Sequence, residues 1–341
     1  MTGARTVSAI AIAAIVTMLP LQAQKANVVY VEGSSRVKSA AGSLRSAEIG
    51  GTITYGESVL TGKDGLVELT LENGSTIRVA ENSVFSYSST GSGVDSTPVL
   101  TTTAGSVHYK LNRALGRSPR IQTNSKVAGV RGTEFTVFAG RDGSVLLSVD
   151  EGIVDVASQG ATVELLKDEA VEVSPGKAPG AKFKKLGRSL DFSSWNKGKN
   201  DDFLKDPVAA LAAVSAQLKG YQAELAALKK PYEEATKRWN AITEEYKKIV
   251  ASGDEEIKKA YQQSTLYPAQ DERLVLILNI RHYALNYLSV RRYVVSNLYM
   301  ELKSRYPLAR PASVEKFFVD HQTLLARYEE IIVPELNEND Y

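Results

Sequence analysis

Residues 66–79 read LVELTLENGSTIRV. Apolar side chains occupy every second position from Val67 to Leu71 and again from Ile77 to Val79, which is the pattern of two half-buried strands. Between the two runs lies Asn73-Gly74, a pair that accepts the positive φ angles of a tight hairpin turn. This stretch therefore predicts a β-hairpin with one face in a core.

The same pattern extends outward from the hairpin over residues 28–174. Runs rich in β-branched and aromatic residues recur about every eight to twelve residues, separated by turn signals such as Asp142-Gly143. This spacing favours an all-β domain over residues 24–176, either a sandwich or a small solenoid-like stack. Outside the hairpin, the predicted strands cover residues 28–31, 134–138, 144–149, 153–156, 162–166 and 170–173.

The chain changes character at the proline- and glycine-rich stretch 175–180, and we expect a linker over residues 177–206. From Pro207 onward, apolar residues recur at alternating steps of three and four, the repeat of a coiled-coil seam. Pro231 lies inside this run and is expected to kink or divide the helix. The seam residues predicted to take part in interactions are Tyr221, Leu225, Leu228, Tyr232, Trp239, Ile242 and Tyr246.

Two further helical patterns follow, one over residues 271–306 and one that starts near Ser313. Long helices with apolar faces fold back on one another, so residues 207–341 are predicted to form a coiled-coil-like hairpin or bundle. The predicted fold class is therefore α+β, with the strands and the helices in separate domains. Pairing of the seam within the chain or with a second copy in a homodimer would bury the same residues, and the pattern leaves both open.

The first 23 residues have the layout of a secretory signal peptide. Arg5 precedes an uncharged run from Val7 to Leu19, and the small residue Ala23 follows at a cleavage point. This run is shorter than the roughly 18–20 residues of a transmembrane helix, and we expect no transmembrane segment after cleavage. The sequence contains no cysteine, which excludes disulfides. We expect an exported protein in the periplasm or at the cell surface of a bacterium.

The sequence offers little catalytic chemistry. His108, His282 and His321 lie on different predicted elements without a partner at helical spacing, so no metal site is predicted. Neither a nucleophile elbow nor a phosphate-binding glycine loop occurs, and a net charge of +2 argues against nucleic-acid binding. We therefore expect no catalytic, metal-binding or cofactor-binding residue, no cofactor and no enzyme activity.

One segment carries a recognisable signature. Residues 127–137 read VAGVRGTEFTV, which resembles the Val-Arg-Gly-Thr-Glu-Phe hallmark of the FecR-domain family. Glu57 stands where that family usually has Asp, and Asn124 stands where it usually has Pro. The resemblance spans about residues 28–175, and further family motifs follow in the family's order at residues 56–62, 66–83, 121–123 and 142–154.

The signature predicts a structural role for its residues, which are Val130, Arg131, Gly132, Thr133, Glu134 and Phe135. Gly132 permits a tight backbone turn, and Phe135 is expected to enter the core. Arg131 and Glu134 are expected to pair with each other between strands. An anion-binding role for Arg131 is the alternative.

The best-known members of the FecR-domain family are sensors that relay the state of an outer-membrane transporter to a cytoplasmic sigma factor. They use a cytoplasmic segment and a spanning helix, and we expect neither here. The resemblance then implies a non-enzymatic extracytoplasmic β domain. We expect a cell-envelope interaction or scaffold module that binds a protein or an envelope polymer. A periplasmic ligand-sensing adaptor that relays its state to a membrane partner is the alternative, and a glycan-active enzyme is a third reading.

Overall fold

The computed structural model describes residues 25–337 with the exception of 40, 91–96, 113–118, 124–126, 131 and 186–189. The side chains of 90, 127–130 and 331–337 are also outside the description. The predicted signal peptide, residues 1–23, lies outside the described residues. The fold class is α+β as predicted: strands occupy the N-terminal part and helices follow from residue 192.

The β region contains two sheets that share one strand, β9. The first sheet has the order β17-β16-β13-β12-β9-β7-β6-β1-β4, and the second has the order β3-β2-β5-β8-β9-β10. A small third sheet has the order β11-β14-β15. The strands are β1 Ala26–Glu32, β2 Ser35–Lys38, β3 Leu44–Ser46, β4 Thr52–Ile53, β5 Glu57–Thr61, β6 Leu66–Leu71, β7 Thr76–Val79, β8 Val84–Thr90, β9 Thr97–Leu111, β10 Arg120–Thr123, β11 Val127–Val130, β12 Thr133–Ala139, β13 Val145–Glu151, β14 Val154–Ser158, β15 Ala161–Leu165, β16 Glu169–Val173 and β17 Phe183–Lys184.

Strand β9 turns from one sheet into the other at Gly105. Its first half pairs with β8 and β10, whereas its second half, from Gly105 onward, pairs with β7 and β12. Gly105 has a φ of +80°, and a Cβ there would lie 2.5 Å from the Cα of Ser83. Only glycine allows this close crossing of two backbones with a positive φ. The corner brings both sheets around a single apolar core that includes Val59, Leu69 and Phe135.

The helical region contains six α-helices and two π-helical turns among the described residues. They are α1 Phe192–Lys205, α2 Pro207–Ser252, α3 Glu255–Tyr261, π1 Gln262–Leu266, α4 Tyr267–Val290, π2 Arg291–Val295, α5 Ser296–Arg305 and α6 Ala312–Asn337. Pro231 lies inside α2 without dividing it. Asp206 caps the N-terminus of α2, and Gly253 ends it in the left-handed conformation.

The seam of α2 pairs within the chain. Leu211, Val214 and Leu218 are buried in one cluster with residues of α4, α5 and α6. Tyr221 of α2 lies 6.4 Å from the ring of Tyr283 on α4. The first half of α2, α4 and α6 therefore form a bundle around one core. None of the described helices is both long and apolar enough to cross a membrane.

The predicted linker, residues 177–206, contains regular structure. It contains β17 and α1, and α1 packs on the outer face of the first sheet. Phe192 stacks on Phe138 of β12 at 5.4 Å, and the Trp195 indole donates a hydrogen bond of 2.9 Å to Glu172 of β16. The sequence analysis did not foresee these two aromatic contacts, and the division of the chain into domains at this segment stays a prediction.

Candidate interaction site

The family signature opens strand β12, and its residues alternate between the core and the outer face. Gly132 has a φ of +57°, consistent with the predicted turn. Thr133 and Phe135 are buried, and the Phe135 ring stacks on Tyr109 of β9 at 5.1 Å. Glu134 points to the opposite face of the sheet, where its side chain is 28% exposed. Arg131 and the side chain of Val130 lie outside the described residues.

Glu134 pairs with two residues of the neighbouring strand. Its carboxylate accepts hydrogen bonds from Lys110 at 3.1 Å and from His108 at 3.2 Å. The hydrogen bond from Lys110 is the main reason why the pKa of Glu134 is lowered. These partners follow from strand register, since β9 and β12 place Glu134 opposite Lys110. The expected pairing of Glu134 with Arg131 stays a prediction, since Arg131 lies outside the described residues, and sequence reasoning had no signal for the partners across the sheet.

Lys110, His108 and Glu134 belong to a charged row that continues along the same face of the sheet. His108 also lies 3.0 Å from the hydroxyl of Thr136, and Asp150 of β13 forms an ion pair with Lys185. In the described part of the chain, no three His, Asp or Glu side chains are grouped as a metal site would require. The groups of this row are already paired with one another, so the row presents mixed charge at the surface and not a single strong charge.

A second polar cluster joins the β region to the helices. His282 of α4 is buried, and its Nδ1 lies 3.1 Å from the hydroxyl of Ser88 on β8. Asn286, one turn later, donates a hydrogen bond of 2.8 Å to the carbonyl of His282. Burial, with a smaller contribution from the charge of Arg120, lowers the pKa of His282 to about 4. The histidine is therefore neutral at physiological pH and serves as a hydrogen-bonding contact between sheet and helix.

The seam residues of α2 differ in burial along the helix. Tyr221 and Leu225 are buried, and Leu228 and Tyr232 are partly buried against the same cluster. The more distal seam residues Trp239, Ile242 and Tyr246 are half-buried. We call residues 236–272, which carry these last three residues, the distal arm. The arm comprises the end of α2, then α3, π1 and the first residues of α4.

The difference follows from how far α6 reaches. The described side chains of α6 face the first half of α2, where Asp320 and Leu324 line a pocket with Leu211 and Leu218. In the distal arm, α2 packs against the returning chain, which is formed by α3, π1 and the start of α4. Tyr246 stacks on Tyr261 at 6.3 Å.

Polar contacts also hold the distal arm together. The Tyr246 hydroxyl accepts a hydrogen bond of 2.6 Å from Gln262, and Arg238 pairs with Glu272 at 2.6 Å. Arg273 lies over the ring of Tyr232 at the base of the arm, 5.7 Å from its centroid. Sequence reasoning found the seam but had no signal for which half would be covered.

Comparisons with known proteins identify the β region. Residues 57–155 match the family model described as FecR protein, which confirms the resemblance drawn from the motifs. No curated protein matches the sequence.

Two solved structures share weaker likeness with this chain. One, from Parabacteroides distasonis, is described as a “putative anti-sigma factor”: it is 20% identical, and the match covers 40% of this chain and 63% of that chain with a TM-score of 0.33. Another, described as a cell surface anchoring domain, is 30% identical over 18% of this chain and 80% of that chain, with a TM-score of 0.17. Both TM-scores are too low for these likenesses to support a conclusion about this chain.

Proposed function

We propose that this chain, whose residues 57–155 carry a FecR domain, is a non-enzymatic, exported interaction module of the bacterial cell envelope. Its FecR region acts as the base, and its distal arm binds a protein partner. The observation that supports this most directly is the change in burial along one continuous helical seam. Leu218 is 1% exposed, whereas Trp239, Ile242 and Tyr246 keep part of their surface open to solvent.

The distal arm has the composition of a protein-binding surface. Tryptophan, tyrosine and large aliphatic residues are enriched where partners bury the centre of an interface. Beside the seam, Val250, Ile257 and Tyr267 are exposed by 41%, 54% and 40%. An α2 of 46 residues extends over about 70 Å, so the arm reaches well beyond the bundle. A partner helix laid along the arm would complete the bundle that α6 completes nearer the base.

A ligand-sensing adaptor is the second candidate, and the contact between sheet and helix favours it. His282 and Asn286 of α4 lie directly on the strand that carries Ser88. Because α4 also forms one side of the distal arm, a change in the FecR region would reach the arm through one rigid element. In this version the arm still binds the partner, and its affinity depends on a ligand of the β region.

Site-specific photocrosslinking in cells tests the role of the arm. A photoreactive amino acid is placed at Trp239 or Tyr246 on the seam, and at Lys237 or Glu244 on the exposed face as matched controls. We expect adducts to one protein from the seam positions and few from the control positions. Adducts at twice the mass of the chain would identify a second copy as the partner. Equal labelling from both faces, or none from the seam in folded protein, would overturn the proposal.

Export is tested separately by fractionation and intact mass. We expect the mature chain to begin at Gln24 and to appear in the periplasmic or cell-surface fraction. Replacement of Ile10 and Ile12 by Arg should retain the protein inside the cell, because a charged core cannot act as a signal peptide. Recovery of the uncleaved chain from the cytoplasm would contradict the exported location and leave the binding role of the arm to be judged on its crosslinks.

A further inference from the structure

A polar cleft of about 610 Å³ lies where the β region, α1 and π2 meet. It is separate from the distal arm and from the charged row around Glu134. Its volume is within the range of sites that bind small molecules. Its floor is the corner of β9, at Ala104 and Gly105.

The floor of the cleft is held rigidly by hydrogen bonds. Thr61 accepts from the backbone N–H of Ser83 at 2.9 Å and donates to the carbonyl of Ala80 at 2.5 Å. The Ser83 hydroxyl in turn accepts from the backbone N–H of Ser106 at 2.9 Å and lies where a side chain on Gly105 would stand. A ligand would therefore meet a preorganised surface, which reduces the entropy lost on binding.

Four asparagines from three elements line the walls. Asn82 stands in the turn before β8, Asn196 and Asn200 are one turn apart on α1, and Asn297 is on α5. Asn196 accepts a hydrogen bond of 3.1 Å from the backbone N–H of Arg141, which leaves its amide N–H₂ for a ligand. The side-chain amides of Asn82 and Asn200 make no hydrogen bond with the residues that the structure describes. Asn297 donates to the backbone carbonyl of Tyr293, so it offers a ligand chiefly its oxygen. The side-chain amides of Asn82 and Asn200 therefore each offer a donor and an acceptor side by side.

The cleft also carries charge and aromatic surface. Arg141 and Lys197 line it, and neither forms an ion pair with the described residues, whereas Lys199 on the same helix pairs with Glu172. Phe192 and Tyr293 contribute ring surface. Glu81 is the acidic residue among the lining residues, so the cleft has a net positive charge.

We propose that this cleft binds a carbohydrate of one or two sugar rings that carries a carboxylate. Paired donors and acceptors of amides match the neighbouring hydroxyl groups of a sugar. Aromatic rings pack against the apolar face of a pyranose, and the two cations attract the carboxylate. The π-helical turn π2 presents Tyr293 to the cleft, and π-turns recur at functional sites. This site does not depend on the distal arm and goes beyond the proposed function.

Calorimetric titration of the full chain tests the site with defined sugars. The acidic probes are digalacturonic acid and N-acetylmuramic acid, and the neutral counterparts are digalactose and N-acetylglucosamine. A Trp239→Phe chain gives a second readout, because Trp195, which lies against Gly140 beside the cleft, is then the remaining tryptophan. We expect saturable binding of at least one acidic probe and weaker binding of its neutral counterpart.

Two variants and two matched controls assign the binding to the cleft. Asn200→Ala and Lys197→Ala should each weaken the acidic probe about tenfold, the loss expected for one hydrogen bond to a charged or polar ligand group. Asn240→Ala and Lys237→Ala, on exposed positions of α2, should change nothing. All four should keep the melting temperature of the parent chain. The proposal is overturned if no acidic probe binds, if the neutral sugars bind equally well, or if neither cleft variant weakens binding.

Discussion

The signature segment yields a sharp prediction, because two adjacent residues of it should differ greatly in their contribution to stability. Phe135 is fully buried in the core shared by the two sheets, with its ring stacked on Tyr109, which is also fully buried. Replacing a buried phenylalanine by alanine costs about 3–5 kcal/mol, with part of that cost from the lost ring contact. Set against a typical stability of about 5–15 kcal/mol, Phe135→Ala removes about a fifth or more of the free energy of unfolding.

Glu134→Gln should cost far less, although this residue is a hallmark of the same segment. Its carboxylate is partly exposed, and its partner Lys110 is 60% exposed, so the ion pair is weakened by water and salt. Pairs of this kind contribute about 0–1 kcal/mol. The glutamine keeps the shape and the hydrogen-bonding capacity of the side chain, and we expect a loss of about 0.5 kcal/mol.

Urea unfolding followed by circular dichroism measures both losses of free energy in the full chain, and thermal unfolding gives the melting temperatures. At about 2–4 °C per kcal/mol, the melting temperature should fall by about 6–20 °C for Phe135→Ala and by about 2 °C or less for Glu134→Gln. Hydrogen exchange along β9 and β12 localises the effect to the shared core. A loss for Glu134→Gln as large as that for Phe135→Ala would refute the reasoning, since it would mean that the carboxylate is central to the fold.

Two further predictions concern the backbone corner and the buried histidine. Gly105→Ala should destabilise the chain by at least about 3 kcal/mol, because a positive φ and a clash with Ser83 both oppose a side chain. Gly50→Ala, at a positive φ with open space, should cost about 1 kcal/mol. Chemical denaturation compares the two variants, and equal losses would contradict the packing argument. Burial lowers the pKa of His282 to about 4, below its ordinary value of about 6.5, so the unfolded chain binds a proton first as the pH falls. The free energy of unfolding should therefore decrease from about pH 6.5 to pH 4, by up to about 3 kcal/mol. Urea midpoints measured over this pH range should fall less for His282→Gln than for the parent chain. An equal pH dependence in the two chains would show that the histidine is accessible to protons in the folded state.

The sequence predicts strands well where only one face is buried. The hairpin of β6 and β7 has the expected register, with Val67 opposite Val79 and Leu69 opposite Ile77. Strand β9 was not predicted, although it is the longest strand described. Its first half is buried on both faces, since Leu100 enters the β core and Thr101 lies against His282. Period-two alternation disappears when both faces are buried, and a run of threonines then looks like a loop.

The same limit applies to the candidate site. Heptad spacing identified the α2 seam because repeated apolar positions follow from helix geometry alone. Which half of the seam is covered depends on where α6 docks, and that is set by tertiary contacts such as the stacking of Tyr287 on Tyr328 at 5.7 Å. Likewise, the partners of Glu134 depend on strand register between distant segments. Local patterns carry no information on either.

The split between the two halves of the seam explains why we assign function to the distal half. The proximal half is needed for folding, since Leu211, Val214 and Leu218 form the bundle core. That bundle also covers the outer face of β8 and β9, where Ser88 contacts His282, so the β region and the proximal helices stabilise each other. The distal arm contributes little to that core. Contacts such as the stacking of Tyr246 on Tyr261 use part of the aromatic surface of the arm, and the surface left open to solvent adds aggregation risk. The contacts within the arm leave this open surface unexplained, and the partner that we propose would cover it.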